Sequence, residues 1–190
     1  MGRKIPIEVS ARHMHISQKD LEKLFGDGYK LKKLRELNQP LDFASKEELV
    51  VKNGSKELTV RIIGPVRKNT QVEISLTDAF YLGIRPPIRK SGDVIFTPGI
   101  TLINKKNKKK LKIKRGVIIA QRHIHCNPEE AKCLKLKKYA SVKVGGDRGL
   151  IFDKIKVRVS KDFKLSMHID TDEANAAGIN KKTKGHLIKE

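Results

Sequence analysis

Apolar and polar side chains alternate over short runs through most of the chain, which is the pattern of half-buried β-strands. Residues 48–51 and 57–63 are two such runs, and the turn-forming pair Asn53-Gly54 lies between them. Gly145-Gly146 separates another pair of runs. A tight turn between alternating runs favours a β-hairpin, and the helical stretches are short. The pattern therefore predicts a mainly β protein with a few short helices.

The chain also contains an internal repeat that is centred on histidine. Arg12-His13-Met14-His15 recurs as Arg122-His123-Ile124-His125, and an alternating apolar run precedes each string. Ser17-Gln18-Lys19-Asp20 follows the first string and Asn127-Pro128-Glu129-Glu130 follows the second. Both are typical helix starts, with a capping side chain and an acidic first turn. Each copy therefore predicts a strand, a His-x-His string and a short helix.

The likeness between the two copies continues further along the chain. Val60-Arg61-Ile62 resembles Val157-Arg158-Val159. A strand end that leads into a capped helical turn follows in both copies, and Glu73 and His168 then occupy equivalent positions.

The two copies also define the predicted domain organisation. Regularly spaced short strands are typical of small β-barrels, so the sequence predicts two related small β-barrel domains that arose by internal duplication. The first barrel repeat covers residues 12–115 and the second covers 116–190. A chain of 190 residues, of which 38% are hydrophobic, can form cores of this kind.

The net charge of +21 requires an explanation. A nucleic-acid partner, an anionic substrate and a lysine-rich solvated surface are all compatible with it. The densest run, Lys105-Lys106-Asn107-Lys108-Lys109-Lys110, has no interleaved aromatic residue to stack on a base. Residues 104–107 are predicted to form an exposed hairpin tip.

Several classes are excluded by what the sequence lacks. No run approaches the roughly 18 apolar residues that a membrane-spanning helix needs, and no secretory signal opens the chain. Cys126 and Cys133 are the two cysteines and do not form a disulfide framework. A cytoplasmic protein with no membrane partner is therefore expected.

The candidate chemistry lies in the histidines. Side chains at i and i+2 of a strand point to the same face, so each His-x-His string places two imidazoles side by side. Imidazole and carboxylate ligands suit zinc best, with iron, cobalt, nickel and manganese as alternatives. Three protein ligands and an open position form the catalytic pattern. The potential ligands are His13, His15 and Glu73 in the first copy, and His123, His125 and His168 in the second.

Arg67 lies in the turn that precedes Glu73 and is a candidate for binding an oxyanion. A guanidinium group donates two parallel hydrogen bonds to phosphate, although a solvated loop arginine gives the same sequence pattern.

Four other residues are expected to stay outside the chemistry. Arg12 and Arg122 lie on the strand face opposite the histidines and are interpreted as structural. Cys126 is not expected to be a nucleophile, because the other copy has an isoleucine at that position. His186 falls in a polar tail and is assigned no role.

Taken together, these strings resemble the PduL-type phosphotransacylases, the phosphate propanoyltransferases. The likeness extends over about residues 5–180. It implies a reversible reaction in which propanoyl-CoA or acetyl-CoA plus phosphate gives acyl phosphate plus coenzyme A. The strings that carry it are IEVSARHMH (7–15), GPVRKNTQVEIS (64–75), RKSGD (89–93), PGITL (98–102) and HIDTDEANAAG (168–178).

The resemblance further implies two β-barrel domains and a dinuclear zinc site between them. Matched by motif, one zinc ion would be held by His123, His125 and Glu73, and the other by His13, His15 and His168. Because this assignment crosses the repeats, the N-terminal strand at 1–11 is expected to complete the second barrel. Arg67 would bind phosphate, and Ser10, Arg61 and Asn175 would lie near bound coenzyme A.

Family members that are housed in bacterial microcompartments carry an amphipathic N-terminal extension, whereas this chain begins almost at its first histidine string. The expectation is a cytoplasmic enzyme outside a microcompartment, or a chain from which the extension has been removed. Self-association into a homo-oligomer is left open. Two alternative functions also remain: a zinc-dependent hydrolase on the same scaffold, and a basic nucleic-acid-binding protein.

Overall fold

The structure is a computed structural model that describes residues 3–180 and 183–188. Positions 1–2, 181–182 and 189–190, which belong to the predicted repeats, lie outside the described residues. The helices are α1 (Gln18–Phe25), α2 (Leu76–Leu82), α3 (Pro128–Leu134) and α4 (Thr171–Ala176). The strands are β1 (Lys4–Ser10), β2 (His13–His15), β3 (Lys33–Glu36), β4 (Phe43–Asn53), β5 (Lys56–Gly64), β6 (Gln71–Glu73), β7 (Ile88–Arg89), β8 (Ile100–Ile103), β9 (Lys110–Ile113), β10 (Val117–Ala120), β11 (His123–Cys126), β12 (Tyr139–Val144), β13 (Leu150–Val159), β14 (Ser166–Asp170) and β15 (Lys184–Leu187).

The helices that follow the histidine strings begin where the sequence predicted. Ser17 caps α1, and its hydroxyl accepts a hydrogen bond from the amide of Asp20 at 3.2 Å. Asn127 caps α3 in the same way, accepting from the amide of Glu130 at 2.8 Å, and Pro128 opens the first turn. Such caps satisfy amides that a helix start leaves unpaired, so each His-x-His strand ends directly before a helix.

Residues 12–120 form one compact unit, called the half-barrel unit below. Its strands follow the order β7-β10-β6-β2-β5-β4-β8-β9 in a curled half-barrel, and β3 pairs with β4. Strand β2 therefore lies inside the sheet, between β6 and β5. The core is aliphatic and includes Met14, Ile62, Val72, Leu102 and Val117.

The described residues up to Ala11 and from Gln121 onward form the second compact unit, called the barrel unit. Its strands close in the order β1-β14-β11-β13-β12-β15, because β15 pairs with both β1 and β12. Its core includes Ile5, Ile124, Val142, Ile155 and Met167. The predicted fold class, mainly β with a few short helices and two related barrel domains, is confirmed.

Strand pairing shows the internal duplication directly. Strand β2 runs antiparallel to β6 with His13 opposite Glu73, and β11 runs antiparallel to β14 with His123 opposite His168. Strand β6 pairs in parallel with β10, and β14 pairs in parallel with β1. Strand β1 thus belongs to the barrel unit and β10 to the half-barrel unit. The compact units divide after residue 120, whereas the sequence-based repeat boundary lies at 115/116.

Two details of the sequence interpretation are wrong. Arg61 lies opposite His13 across β5 and β2, but Lys156, not Arg158, lies opposite His123 across β13 and β11. The predicted match between Arg61 and Arg158 was therefore wrong by two residues. A shift of two residues leaves each side chain on the same strand face, so the alternation of apolar and polar residues does not reveal it. His186 lies in strand β15 rather than in a polar tail.

The predicted hairpins form, including the lysine-rich one. Ile103 pairs with Lys110 across β8 and β9, and the lysines between them are exposed. Asn104 is buried rather than exposed, and its amide donates a hydrogen bond to the carbonyl of Leu24 at 3.1 Å. Within the described ranges, the helices are too short and too polar to cross a bilayer.

Candidate active site

Strands β2 and β6 bring the first group of potential ligands together in the half-barrel unit. His13 Nε2 lies 3.6 Å from one carboxylate oxygen of Glu73, and His15 Nε2 lies 3.7 Å from the other. The ligand atoms of all three residues lie within 4.8 Å of one another. The His15 and Glu73 side chains are only 4% and 8% exposed, and His13 is 17% exposed. His15 and Glu73 thus form the buried side of the group, and His13 forms the side that solvent reaches.

His15 is held in a form that suits a metal ligand. Its Nδ1 lies 3.1 Å from the carbonyl of Ile63, so a proton on Nδ1 leaves the Nε2 lone pair directed at Glu73. Burial, together with the positive charge of Arg67 and the neighbouring His13, lowers the pKa of His15 to about 3, against the opposing effect of Glu73. The neutral imidazole, which is the metal-binding form, is therefore favoured at neutral pH.

The Glu73 carboxylate is itself fixed by donors. Its Oε1 accepts a hydrogen bond from Gln71 Nε2 at 2.6 Å and one from the Ser91 hydroxyl at 2.7 Å. Gln71 is buried, and its own carbonyl oxygen accepts from the amide of Gly92 at 2.7 Å. Two donors on one oxygen fix the orientation of the carboxylate plane.

Strands β11 and β14 form the equivalent group in the barrel unit from three histidines. The ligand atoms of His123, His125 and His168 lie within 4.8 Å of one another, and the ring centroids are 4.5–5.0 Å apart. His123 Nδ1 lies 2.9 Å from the carbonyl of Gln121, and His168 Nε2 lies 2.9 Å from the Ser166 hydroxyl.

Both groups fit a divalent metal ion by the chemistry of their donors. Two imidazoles with a carboxylate, and three imidazoles, are both donor sets of three-ligand catalytic zinc sites. In each group one ring nitrogen is bonded to a backbone carbonyl, as metal-ligating histidines usually are. The potential ligands form one group within each unit, along the repeats, whereas the combination that the family resemblance implied takes residues from both units.

Arg67 lies beside the first group. Its backbone amide donates to the carbonyl of Ile16 at 2.9 Å, which ties the turn to the end of β2. Its Nη1 donates to the Ser91 hydroxyl at 3.4 Å, and its Nη2 lies 3.7 Å from Asp42. The side chain is 37% exposed, so the guanidinium connects the carboxylate network of Glu73 with solvent. This is a position from which a bound oxyanion can accept hydrogen bonds.

The residues that the resemblance placed near coenzyme A are divided between the units. Ser10 ends β1 opposite Asp170, which caps α4, and Asn175 is exposed on that helix. These two therefore lie in the barrel unit. Arg61 lies in the half-barrel unit, where it donates to the carbonyl of Ser45 at 2.8 Å and pairs with Glu48.

The arginines before the histidines are structural, and they repeat like the strands. Arg12 makes a two-pronged ion pair with Asp78 in the first turn of α2, with nitrogen–oxygen distances of 2.7–3.0 Å. Arg122 donates to Glu173 in the first turn of α4 at 2.8 Å. Cys126 is fully buried, and burial raises the pKa of its thiol to about 11, which disfavours the thiolate that a nucleophile requires.

Sequence reasoning missed Gln71, Ser91 and Ser166 as partners of ligands. Gln71 and Ser166 each stand two residues before the third ligand on the same strand, so strand periodicity carried a usable signal. Ser91 approaches from a loop, and nothing in its spacing indicates the contact.

Comparison with known proteins identifies the family. A family model described as phosphate propanoyltransferase matches residues 6–180. A phosphate propanoyltransferase of Thermotoga maritima is 52% identical over 181 residues, which span 93% of this chain and 85% of the relative. Relatives of the same name from Salmonella typhimurium and Listeria monocytogenes are 46% identical over 180 residues and 44% over 188. These matches cover 93% and 97% of this chain, and 84% and 87% of the relatives. The chain therefore belongs to the phosphate propanoyltransferase family and is an acyltransferase.

Proposed function

We propose that the enzyme interconverts a short-chain acyl-CoA and phosphate with acyl phosphate and coenzyme A, using two zinc ions. Propanoyl-CoA and acetyl-CoA are the proposed substrates, and each three-ligand group would hold one ion. The match to the phosphate propanoyltransferase model over residues 6–180 is the observation that carries the reaction class. The two ligand groups supply the support for the metals.

The proposed chemistry is direct attack. An oxygen of hydrogen phosphate forms a bond to the thioester carbonyl carbon, the carbon–sulfur bond breaks, and the proton of the phosphate passes to the departing thiolate. The products are acyl phosphate and free coenzyme A. A bound zinc ion would supply a Lewis acid next to the reacting groups. No acylated side chain is required, in keeping with the burial of Cys126.

Arg67 is proposed to bind the phosphate. Its guanidinium is partly exposed and lies within hydrogen-bond distance of Ser91, which also bonds Glu73. A phosphate held there would lie beside the first ligand group, with its attacking oxygen oriented by two parallel N–H donors. Orientation of this kind lowers the entropic part of the activation barrier for acyl transfer, because the two reactants no longer have to meet in solution.

Coenzyme A is proposed to contact Ser10, Arg61 and Asn175. Ser10 and Asn175 offer neutral hydrogen-bonding groups, and Arg61 offers a charge that suits the phosphates of coenzyme A. The net charge of +21 supports anionic substrates in general, because a positive field raises the local concentration of polyanions.

The test is release of free thiol from propanoyl-CoA and acetyl-CoA, with and without phosphate, before and after removal of metal by a chelator. Thiol release that requires both phosphate and metal, with acyl phosphate as the product, is the expected result. Formation of free carboxylic acid without phosphate would instead identify a hydrolase. Activity that survives complete metal removal would overturn the zinc part of the proposal while leaving the acyl transfer in place.

A further inference from the structure

The same positional relationship occurs beside both ligand groups. Gln71 and Glu73 are the first and last residues of β6, two positions apart on one face of the strand. Ser166 and His168 stand two positions apart in β14. In the matching ladders Gln71 lies opposite His15 and Ser166 lies opposite His125. The duplication therefore places Gln71 and Ser166 in equivalent positions.

Each of these residues bonds the third ligand of its own group. Gln71 Nε2 donates to Glu73 Oε1 at 2.6 Å, and the Ser166 hydroxyl lies 2.9 Å from His168 Nε2. Both are buried, with 3% and 0% of their surface exposed. A buried polar side chain needs hydrogen-bond partners, and in each case one of them is the potential ligand. Gln71 also bonds Ser91 and Gly92, and the Ser166 hydroxyl also donates to the carbonyl of Lys164 at 3.5 Å.

The chemistry of each residue matches the ligand that it bonds. A carboxylate only accepts hydrogen bonds, and the Gln71 amide donates without adding a charge that would compete with a cation. An imidazole nitrogen either donates or accepts, and the Ser166 hydroxyl can do both. The third potential ligand is Glu73 in one copy and His168 in the other, and the residue that bonds it changes accordingly from Gln71 to Ser166.

We propose that Gln71 and Ser166 are positioning residues, each of which fixes the third ligand of one metal site. This inference rests on the metal sites of the proposed function. Removing a side chain that hydrogen-bonds a metal ligand typically weakens metal binding by about 10–100-fold. Each residue should therefore affect the site in its own unit and leave the other unchanged.

The experiment isolates one site at a time. The His123→Ala background retains only the His13, His15 and Glu73 group, and the His13→Ala background retains only the three-histidine group. Gln71→Met, which keeps the size but removes the donor, and Ser166→Ala are introduced into both backgrounds. Zinc affinity is measured by competition with a chromophoric chelator. Gln18→Met and Ser141→Ala, which remove side-chain hydrogen bonds to Glu22 and Asp153, are the matched controls.

Gln71→Met is expected to weaken zinc binding by about 10–100-fold in the His123→Ala background only, and Ser166→Ala in the His13→Ala background only. Ser166→Thr, which keeps the hydroxyl, should restore the affinity. Wild-type affinity in both variants, or equal losses in both backgrounds, overturns the inference while the proposed zinc sites stand. A wild-type protein that binds no zinc overturns both. Ser166→Ala removes a single oxygen atom, so it decides the question if Gln71→Met does not fold.

Discussion

Glu73 and His168 occupy the same place in the two units, each directly opposite the first histidine of a His-x-His string across an antiparallel ladder. The third ligand is thus a carboxylate in one unit and an imidazole in the other. With a divalent cation, the first group would have a net charge of +1 and the second a net charge of +2, because neutral imidazoles contribute no charge. The duplication therefore supplies two similar candidate metal sites whose net charge would differ.

The two groups predict separable metal content. His13→Ala and His123→Ala should each remove about one zinc ion per chain and lower acyl transfer by about 100-fold or more, since a missing Lewis acid costs several kcal/mol of the barrier. Elemental analysis of gel-filtered protein measures the metal. His186→Ala is the control, because His186 lies in β15 and belongs to neither group. Full zinc content in both ligand variants would contradict the assignment.

Arg67 predicts a selective effect on phosphate. Arg67→Ala should raise the KM for phosphate by about 10–100-fold, the range expected for hydrogen bonds to a charged group, and should leave the KM for acyl-CoA nearly unchanged. Arg67→Lys keeps the charge but loses the planar pair of donors, so its KM for phosphate should lie between that of the wild type and that of Arg67→Ala. Initial rates over a phosphate titration measure the effect. An unchanged phosphate KM in Arg67→Ala would remove its assigned role.

Much of this architecture could be predicted from local patterns. The helix starts at Ser17 and Asn127, the hairpin at Asn53-Gly54 and the equivalence of Glu73 with His168 all follow from short-range rules on caps, turns and strand periodicity. Residues that are close in sequence fix such features, so no tertiary information is needed.

Features that depend on strand order could not be predicted in this way. A strand pattern does not say which neighbour the strand pairs with, so the division after residue 120 and the pairing of β10 with β6 needed the structure. The register between Arg61 and Lys156 was missed because a shift of two residues leaves the alternation intact. Ser91 reaches Glu73 from a distant loop, and no local rule indicates that contact.

The ion pair between Arg12 and Asp78 predicts a moderate loss of stability when the carboxylate is removed. Asp78→Ala should lower the free energy of unfolding by about 1–2 kcal/mol, because it removes the bond back to the Ser75 amide and the two-pronged contact with Arg12. The Arg12 side chain is 43% exposed and can be hydrated after the change, which keeps the loss moderate. Urea unfolding measures it. Glu36→Ala, which breaks an exposed ion pair with Lys33, is the control and should change stability by less than about 0.5 kcal/mol.

The two cysteines should react very differently. Cys133 is exposed, whereas Cys126 is fully buried. At pH 8 iodoacetamide should modify Cys133 rapidly in the native protein and reach Cys126 only after unfolding, because the reagent needs an accessible thiolate. Peptide mass mapping identifies the modified residue. Rapid modification of Cys126 in the folded enzyme would contradict this prediction and would make Cys126 a candidate nucleophile.

Glu173 predicts a specific dependence of stability on pH. Burial raises the pKa of Glu173 above its ordinary value of 4.5, although the Asp170 amide and Arg122 both favour the charged form. The folded chain therefore binds this proton more tightly than the unfolded chain. The resulting stabilisation is present below about pH 4.5 and is lost as the pH rises through the raised folded-state pKa.

Glu173→Gln cannot ionise and keeps one acceptor oxygen, which can serve either Arg122 or the Asp170 amide but not both. The unfolding free energy of the wild type, relative to that of Glu173→Gln, should therefore fall as the pH rises from 4.5 toward 7. Urea unfolding at several pH values measures this difference, and Glu129→Gln, at an exposed position in the first turn of α3, sets the baseline. A difference that stays constant would show that the groups favouring the charged form cancel the effect of burial, and one that grows with pH would show that they outweigh it; either result contradicts the prediction.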